Sequence, residues 1–301
     1  MPHRRTLGMS RMRSLSVILI LFLILDGALI YNFQKQIEKH AASRTVIQGL
    51  AQIPKGEYLK KISLGHNSLV ADLIWLRAIQ VMGEKKVPPQ QAEWIYHALD
   101  AATDLDPKFS YMYEAGGIFL SAVSGNYDLS VKLLKKGFDN NPGYWRLPFY
   151  LSANYFLYLQ NYKLAAYFMG RAAELPDRPA FVPLLASRLY AQSGDPRFGL
   201  ELVETIYKNT KDEKVKEALR QRMDELQVEI NLYALENASK AYKDKYGRYP
   251  ATVDELNAAG LIKGEPKDEL GGIYVLNPET GEASNTMMPR RLRIYPKRKK
   301  R

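Results

Sequence analysis

Few side chains in this sequence have the types and the spacing that catalysis or metal binding requires. Of the four histidines, only His97 has a carboxylate, Glu93 or Asp100, at the spacing of metal ligands on a helix, and no second histidine accompanies it. Cysteine is absent, and the sequence has no glycine-rich phosphate loop after a strand, no serine elbow and no kinase signature. We therefore predict a protein that is not an enzyme and that uses no cofactor and no metal.

Large amphipathic side chains at helical spacing are the more informative residues, because they suit protein binding. Tyrosine provides a large contact area at a low entropy cost, although each tyrosine could equally pack between helices. We predict a partner-binding groove, occupied by a peptide or a helix of a protein partner. Its nine predicted residues are Tyr111, Glu114, Ile118, Tyr150, Asn154, Tyr158, Leu184, Arg188 and Gln192.

These positions belong to a repeated pattern of small and bulky side chains. The pattern runs through Ser152-Ala153, Phe156, Ala165, Met169 and Ala172. A second copy lies 34 residues further on and starts at Ala186-Ser187, and a third lies 35 or 36 residues earlier and starts at Gly116-Gly117. Small side chains let two helices approach closely, and bulky neighbours fill the space beside them. The pattern predicts helix pairs that stack, because one pair cannot bury its own apolar face.

Paired helices with a period of about 34 residues resemble the tetratricopeptide repeat, over residues 69–210. No copy has the full Trp-Leu-Gly-Tyr signature of that family, and a generic helical bundle is the alternative. The resemblance implies a mostly α fold, with an α-solenoid of about four helix pairs whose first helices line a concave binding face.

The first helix of this region is predicted from Leu69 to about Gly83. Its apolar face is expected to contain Leu69, Val70, Leu73, Ile74, Leu76 and Ile79. His66 is expected to cap the start of this helix.

A long helix and a small module follow in residues 211–282. Thr210 and Glu213 form a capping box, and Val215, Leu219, Met223, Leu226, Ile230 and Tyr233 continue at helical spacing. The helix is expected to end at Gly247. A solenoid-capping helix and a short coiled coil fit this spacing equally well.

The end of this region contains Gly247-Arg-Tyr-Pro250, Pro266-Lys-Asp268 and the apolar run Ile273–Leu276. It resembles the soluble part of the major pseudopilins of type II secretion. The resemblance implies a helix, a loop and a short hairpin with Ile273–Leu276 as its first strand. The chain lacks the pilin signal before its apolar segment, and Asn277-Pro-Glu-Thr-Gly281 and a basic tail replace the family's calcium loop, so filament polymerisation and calcium binding are not carried over.

The amino-terminal segment predicts a membrane anchor. Residues 14–33 are almost entirely apolar and would form a helix of about 30 Å, and residues 1–13 contain four arginines and no acid. This charge asymmetry predicts a cytoplasmic amino terminus and a juxtamembrane segment, residues 34–68, on the other side. A cleaved signal peptide is the alternative, but Asp26 stands where cleavage requires a small residue.

The net charge of +11 is located at the two ends of the chain. A basic tail, residues 283–301, is predicted to be disordered and to contact an anionic lipid or envelope polymer, or to have no specific role. Nucleic acid is an unlikely partner, because no groove-reading motif accompanies the charge. The predicted contact residues are Arg290, Arg291, Arg293, Lys297, Arg298, Lys299, Lys300 and Arg301.

Together these patterns predict a scaffold at the periplasmic face of a bacterial inner membrane. The repeats would bind protein partners, and the terminal module suggests a secretion or type IV pilus-like assembly. The alternative is a surface-anchoring protein that binds anionic lipid or polymer through its tail, with the repeats as spacers.

Overall fold

The computed structural model describes residues 25–33, 35, 53–84 and 89–292, with the backbone alone for residues 89 and 90. The chain divides into two compact units, Met1–Ile53 and Pro54–Arg301. Residues 25–33 of the first unit are helical. Among the described residues, no helix has both the length and the apolar character that crossing a membrane requires. Residues 14–24 of the predicted anchor (residues 14–33) lie outside the described residues. So do residues 34 and 36–52 of the predicted juxtamembrane segment.

The second unit is mostly helical. Its α-helices are α1 (Gly56–Ile62), α2 (Asn67–Met82), α3 (Pro89–Leu105), α4 (Ser110–Ile118), α5 (Tyr127–Asn140), α6 (Arg146–Ala153), α7 (Tyr162–Glu174), α8 (Phe181–Ser193), α9 (Pro196–Asn209), α10 (Glu213–Tyr246) and α11 (Val253–Ala258). Two π-helical turns, π1 (Phe119–Val123) and π2 (Asn154–Tyr158), continue α4 and α6. A hairpin of β1 (Tyr274–Leu276) and β2 (Ala283–Asn285) comes last, with Val275 opposite Ser284. From α4 to α10 each helix packs against the next, which gives a solenoid-like stack.

The buried face of the first helix in each pair repeats every 35 residues. The buried residues in this repeat are Met112, Tyr113, Gly116 and Gly117 in α4, Leu147, Pro148, Leu151 and Ser152 in α6, and Val182, Pro183, Ala186 and Ser187 in α8. Gly117, Ser152 and Ser187 are therefore equivalent. The alignments predicted from sequence, which match Ser152 with Gly116 and with Ala186, are each wrong by one residue.

The π-helical turns explain the difference in register between α6 and α8. A π turn accommodates one residue more than an α turn in the same place. The residue with positive φ after each first helix is Gly125, then Gln160, then Gly194, so the spacing is 35 residues followed by 34. The third pair is one residue shorter because α8 remains α-helical to Ser193.

Small residues let the helices of a pair approach closely, as the sequence predicts. The Ser130 hydroxyl donates to the Gly117 carbonyl at 2.7 Å, and the Ser152 hydroxyl donates to the Ala165 carbonyl at the same distance. Gly117 and Ser152 are equivalent positions, as are Ser130 and Ala165. The same crossing therefore has a hydrogen bond in both pairs, but the second helix donates it in the first pair and the first helix donates it in the next. A Cβ added at Gly137 would lie 2.6 Å from the Tyr113 ring, so no larger side chain fits there without movement.

The predicted apolar face of α2 is wrong. The buried residues are Ala71, Trp75, Ala78 and Val81, whereas Leu69, Leu73, Leu76 and Ile79 are exposed. The helix is apolar on both faces, so periodicity alone could not identify the buried one. The small residues Ala71 and Ala78 pack inward because they allow α2 to lie close to α3. His66 occupies the N-cap position, but its side chain makes no capping hydrogen bond.

The long helix α10 begins two residues later than the capping box predicts. Asp212 is the N-cap, and its carboxylate accepts from the Lys214 and Val215 amides at 2.9 and 3.2 Å. The Thr210 hydroxyl instead donates to the Ile206 carbonyl at the end of α9. The predicted end is confirmed, because Gly247 adopts a left-handed conformation with φ 75°.

The first ten residues of the predicted disordered tail are ordered, which is a correction to residues 283–292. β2 pairs with β1, and Met288 and Leu292 are buried. The Arg291 guanidinium lies between two buried carboxylates of α10, 2.8 Å from Glu229 and 2.7 Å from Glu236. We call these three side chains the Arg291 clasp.

Hydrogen bonds and charge determine the protonation state of the clasp. Burial alone would lower the pKa of Arg291, but hydrogen bonds and attraction from Glu229 and Glu236 raise it above its ordinary value. The clasp therefore holds an ionised arginine that fastens the end of the described chain to α10.

Candidate protein-binding site

Side chains of the three first helices occupy equivalent positions along one face of the stack. Tyr111, Arg146 and Phe181 are exposed at the start of α4, α6 and α8. Glu114, Phe149 and Leu184 follow almost one turn later. We call these six residues the first-helix row.

Aromatic contacts join the row to its neighbours. The Tyr111 ring meets the Trp75 ring of α2 edge-on, with 6.0 Å between centroids. Phe149 makes similar contacts with Trp145 at 5.6 Å and with Phe181 at 6.3 Å. Each such pair contributes about 0.5–1.5 kcal/mol beyond its buried area, so these rings are held in place although Tyr111 and Phe181 are half exposed.

At Phe181 the row opens into a cleft between α8 and α10 with a volume of about 290 Å³. The lining residues are Ala180, Phe181, Leu184, Lys214, Val215, Ala218 and Leu219. Lys214 is the one lining residue with a polar side chain, so the floor of the cleft is apolar. Its volume is close to the lower limit of about 300 Å³ for small-molecule sites, which suits a few apolar side chains better than a cofactor.

Positive charge borders the row and the cleft. No Asp or Glu occurs in α6, π2 or α8, which contain Arg146 and Arg188. Arg222 of α10 lies beside the cleft, where its guanidinium donates to the Leu184 carbonyl at 3.3 Å. Burial lowers the pKa of Arg222, Glu225 opposes this effect at 2.9 Å, and the positive charge of Arg188 lowers the pKa further.

One buried carboxylate at the row is neutralised within the fold. Glu114 is 5% exposed, accepts a hydrogen bond from the Tyr144 hydroxyl, and lies 3.4 Å from the Arg146 guanidinium. Burial and the bonded carboxylate raise the pKa of Tyr144 to about 12, so its hydroxyl remains a donor at neutral pH. Glu114 therefore positions α4 against the start of α6 and is not free for a partner.

The nine predicted groove residues are divided among several environments. Tyr111, Leu184 and the buried Glu114 belong to the row, and Tyr150 lies next to it, with 5.3 Å between its ring centroid and that of Phe149. Glu114 and Asn154 are buried, and the Asn154 amide donates to the Ser130 hydroxyl at 2.7 Å. The predicted lining role of these two buried residues is a correction, because both are occupied with contacts between helices.

The other predicted residues lie nearer the ends of the first helices. Tyr158 stacks on Tyr127 with 4.3 Å between ring centroids, at the turn between α6 and α7. Ile118 and Gln192 are partly buried. Arg188 lies beyond the cleft, where its Nε donates to the Leu292 carbonyl at 3.1 Å.

Sequence reasoning missed much of the site. Trp145, Phe149 and Phe181 were not predicted, because the one-residue error in register hid the equivalence of Tyr111, Arg146 and Phe181. The contribution of Val215 and Leu219 depends on where α10 lies, which no local pattern specifies. The run of aromatic residues at the start of each first helix was the available signal.

The predicted anionic-surface contacts are only partly accessible. Arg290 is exposed, whereas Arg291 is occupied in the clasp. Arg293 and the five basic residues at 297–301 lie outside the described residues. The expected contact through Arg291 is therefore a correction.

Within the described ranges, no three His, Asp or Glu side chains come close enough to hold a metal ion. Comparison of the chain with protein-family models, curated proteins and solved structures gave no match.

Proposed function

We propose that this protein is a non-enzymatic scaffold that holds a segment of a protein partner along the first-helix row and in the cleft. The observation that carries the proposal is the set of equivalent first-helix residues Tyr111, Phe149, Phe181 and Leu184, of which Phe149 and Phe181 are in ring contact and Phe181 and Leu184 line the cleft. Aromatic side chains in half-buried, preformed positions are typical of the residues that dominate binding energy at protein interfaces. The absence of acidic side chains from α6, π2 and α8 adds a second, electrostatic basis for partner selection.

The repeat architecture supports a scaffold of the tetratricopeptide type. Stacked helix pairs, small residues at the crossings and a spacing of 34 or 35 residues are the physical features of such solenoids. Solenoids of this kind present an extended surface along their stack, and the first-helix row follows such a surface.

We further propose that residues 14–33 anchor the chain in a bacterial inner membrane, with the repeats in the periplasm. The support is the length of the apolar segment and the four arginines that precede it. A role in a secretion or pilus-like assembly is proposed from the terminal module alone. A helix that ends at Gly247 and leads through a loop into a hairpin is consistent with the pseudopilin resemblance.

Site-specific photocrosslinking in membranes tests the binding surface. A photoreactive phenylalanine at position 181 should form a discrete adduct with a partner, because this side chain forms one wall of the cleft. The same probe at Leu157, which is exposed on π2 outside the row, is the matched control and should form none.

A surface variant distinguishes binding from folding. Leu184→Ser combined with Val215→Ser should abolish the adduct while leaving the far-ultraviolet circular dichroism unchanged, since both residues are partly exposed. Equal adducts at positions 157 and 181, or an adduct that survives the double substitution, would show that the cleft is not the binding site. Protease digestion of spheroplasts tests the topology separately, and full protection of the repeats would contradict a periplasmic location.

A further inference from the structure

We infer that the bound partner segment is acidic as well as apolar, with apolar side chains in the cleft and carboxylates paired with the cations around it. The inference rests on the proposed scaffold function and specifies the chemical class of its partner.

The cleft provides the apolar half of this recognition. Phe181, Leu184, Val215 and Leu219 form its walls, and the one lining residue with a charged side chain, Lys214, is exposed. A partner side chain that enters here exchanges water for hydrocarbon contacts, as leucine and phenylalanine do in protein cores.

Two cations near the cleft, Lys214 in its lining and Arg188 one helical turn after Leu184, have no carboxylate partner among the described residues. Arg188 and Lys214 form no ion pair there, whereas Arg146 and Arg222 are each paired with a glutamate. The Arg188 Nε bonds a carbonyl, which holds the guanidinium in place without neutralising it. An acidic partner would neutralise both cations, whereas a basic one would be repelled.

The last described residues fix the position of Arg188 near the cleft. The Leu292 carbonyl accepts a hydrogen bond from Arg188 of α8. The residue before Leu292, Arg291, is bound to α10 through the clasp. Arg188 is therefore held at a fixed position one helical turn after the cleft residue Leu184.

Amphipathic peptide probes test the inference on the full chain in phosphatidylcholine nanodiscs. The first probe is a fluorescein-labelled peptide with Leu at every third or fourth position and Glu elsewhere. The second and third replace every Glu by Gln or by Lys. The Glu peptide should bind at least about tenfold more tightly than the Gln peptide, and the Lys peptide least. Raising NaCl from about 0.05 M to about 0.5 M should remove most of this preference, because salt screens exposed charges.

Variants connect the preference to the named residues. Arg188→Gln combined with Lys214→Gln should reduce the preference for Glu over Gln to about twofold or less. Arg290→Gln is the matched control, because this exposed arginine precedes the clasp, and it should retain the preference. Phe181→Ser should weaken binding of the Glu and Gln peptides alike.

Three results would overturn the inference. They are equal binding of the Glu and Gln peptides, no binding of any peptide, and a Glu preference that survives loss of the cations. A further control replaces phosphatidylcholine by phosphatidylglycerol in nanodiscs that contain the intact chain. If the Glu preference is present in phosphatidylcholine and absent in phosphatidylglycerol, the cations bind lipid, and this result also overturns the inference. Photocrosslinking at position 181 reports on the scaffold function independently, so an adduct without a Glu preference would reject the acidic partner alone.

Discussion

The repeat stack and the carboxyl-terminal module are stabilised by different interactions. In the stack, apolar side chains and close crossings join helices that are neighbours in sequence, as Gly137 and Tyr113 do. In the module, buried apolar residues such as Leu276 and Leu292 pack in one core with α10, and charged groups add bonds between residues far apart in the chain, as Arg291 does with Glu229. The Asp268 carboxylate similarly bonds Asn285 at 2.9 Å and accepts from the Leu270 amide.

This difference shows how a short terminal module can be ordered with a small apolar core. The stack gains stability by adding similar interfaces, each local in sequence. The module has a hairpin of three residues per strand, and such a hairpin is marginal unless it is fastened to a larger element. The Arg291 clasp provides that connection to α10.

The largest expected effect comes from breaking the clasp. Arg291→Met should destabilise the module by about 3–5 kcal/mol, because it removes the ion pairs that the buried Glu229 and Glu236 carboxylates form with Arg291. Chemical denaturation monitored by hydrogen exchange should show that residues 274–292 lose protection at a lower denaturant concentration than the repeats do. Arg290→Met, at an exposed neighbour, should change the free energy of unfolding by less than about 0.5 kcal/mol.

Alkaline pH should weaken the repeat stack through Tyr113. Burial raises the pKa of this residue to about 12, from an ordinary value of 10.0. The unfolded chain therefore releases this proton first, so the stabilisation is complete below pH 10 and is lost as the pH rises towards 12, by about 2–3 kcal/mol. Urea denaturation should show a shallower alkaline decline for Tyr113→Phe than for the unchanged chain. Parallel declines would show that Tyr113 does not control the effect.

Filling a helix crossing should have an intermediate effect. Gly137→Ala places a methyl group 2.6 Å from the Tyr113 ring, and overpacking of this kind costs about 1–3 kcal/mol. Gly143→Ala is the control, since a Cβ there meets nothing within 4 Å. Thermal denaturation of the two variants should separate them clearly, and equal melting temperatures would contradict the close crossing.

The smallest effect concerns the left-handed position between the helices of a pair. Gln160 has φ 51° where the neighbouring pairs have Gly125 and Gly194. Gln160→Gly should therefore stabilise the chain by about 0.5–1 kcal/mol, the difference between the strain relieved and the added freedom of glycine. Gly194→Gln should show the opposite sign. Stabilisation by both substitutions, measured by urea denaturation, would exclude backbone strain as the cause.

Several structural features could be predicted from the sequence because their causes are local. The helical repeats follow from small and bulky residues at fixed spacing, and the end of α10 follows from the left-handed preference of Gly247. The start of β1 was predicted to within one residue, at Ile273 rather than Tyr274. Each of these depends on residues close together in the chain.

The candidate site was predicted less well. Tyr111 and Leu184 were identified, but Phe149 and Phe181 were not, because the extra residue of a π turn shifts the register. Nothing in the local sequence distinguishes a π turn from an α turn, since the choice depends on packing against the next helix. Glu114 looked like an exposed groove residue, and its burial depends on Tyr144 and Arg146, about 30 residues further on.

The amino-acid sequence by itself determined the helical repeats, the end of α10 and the concentration of positive charge at both ends. These properties depend on periodicity, on caps and on composition, which act over a few residues. The tertiary structure alone decided which face of α2 is buried, which aromatic side chains form the row, and that Arg291 belongs to the fold. The physical reason is that burial and ion pairing depend on which distant elements meet, and a local pattern contains no information about those contacts.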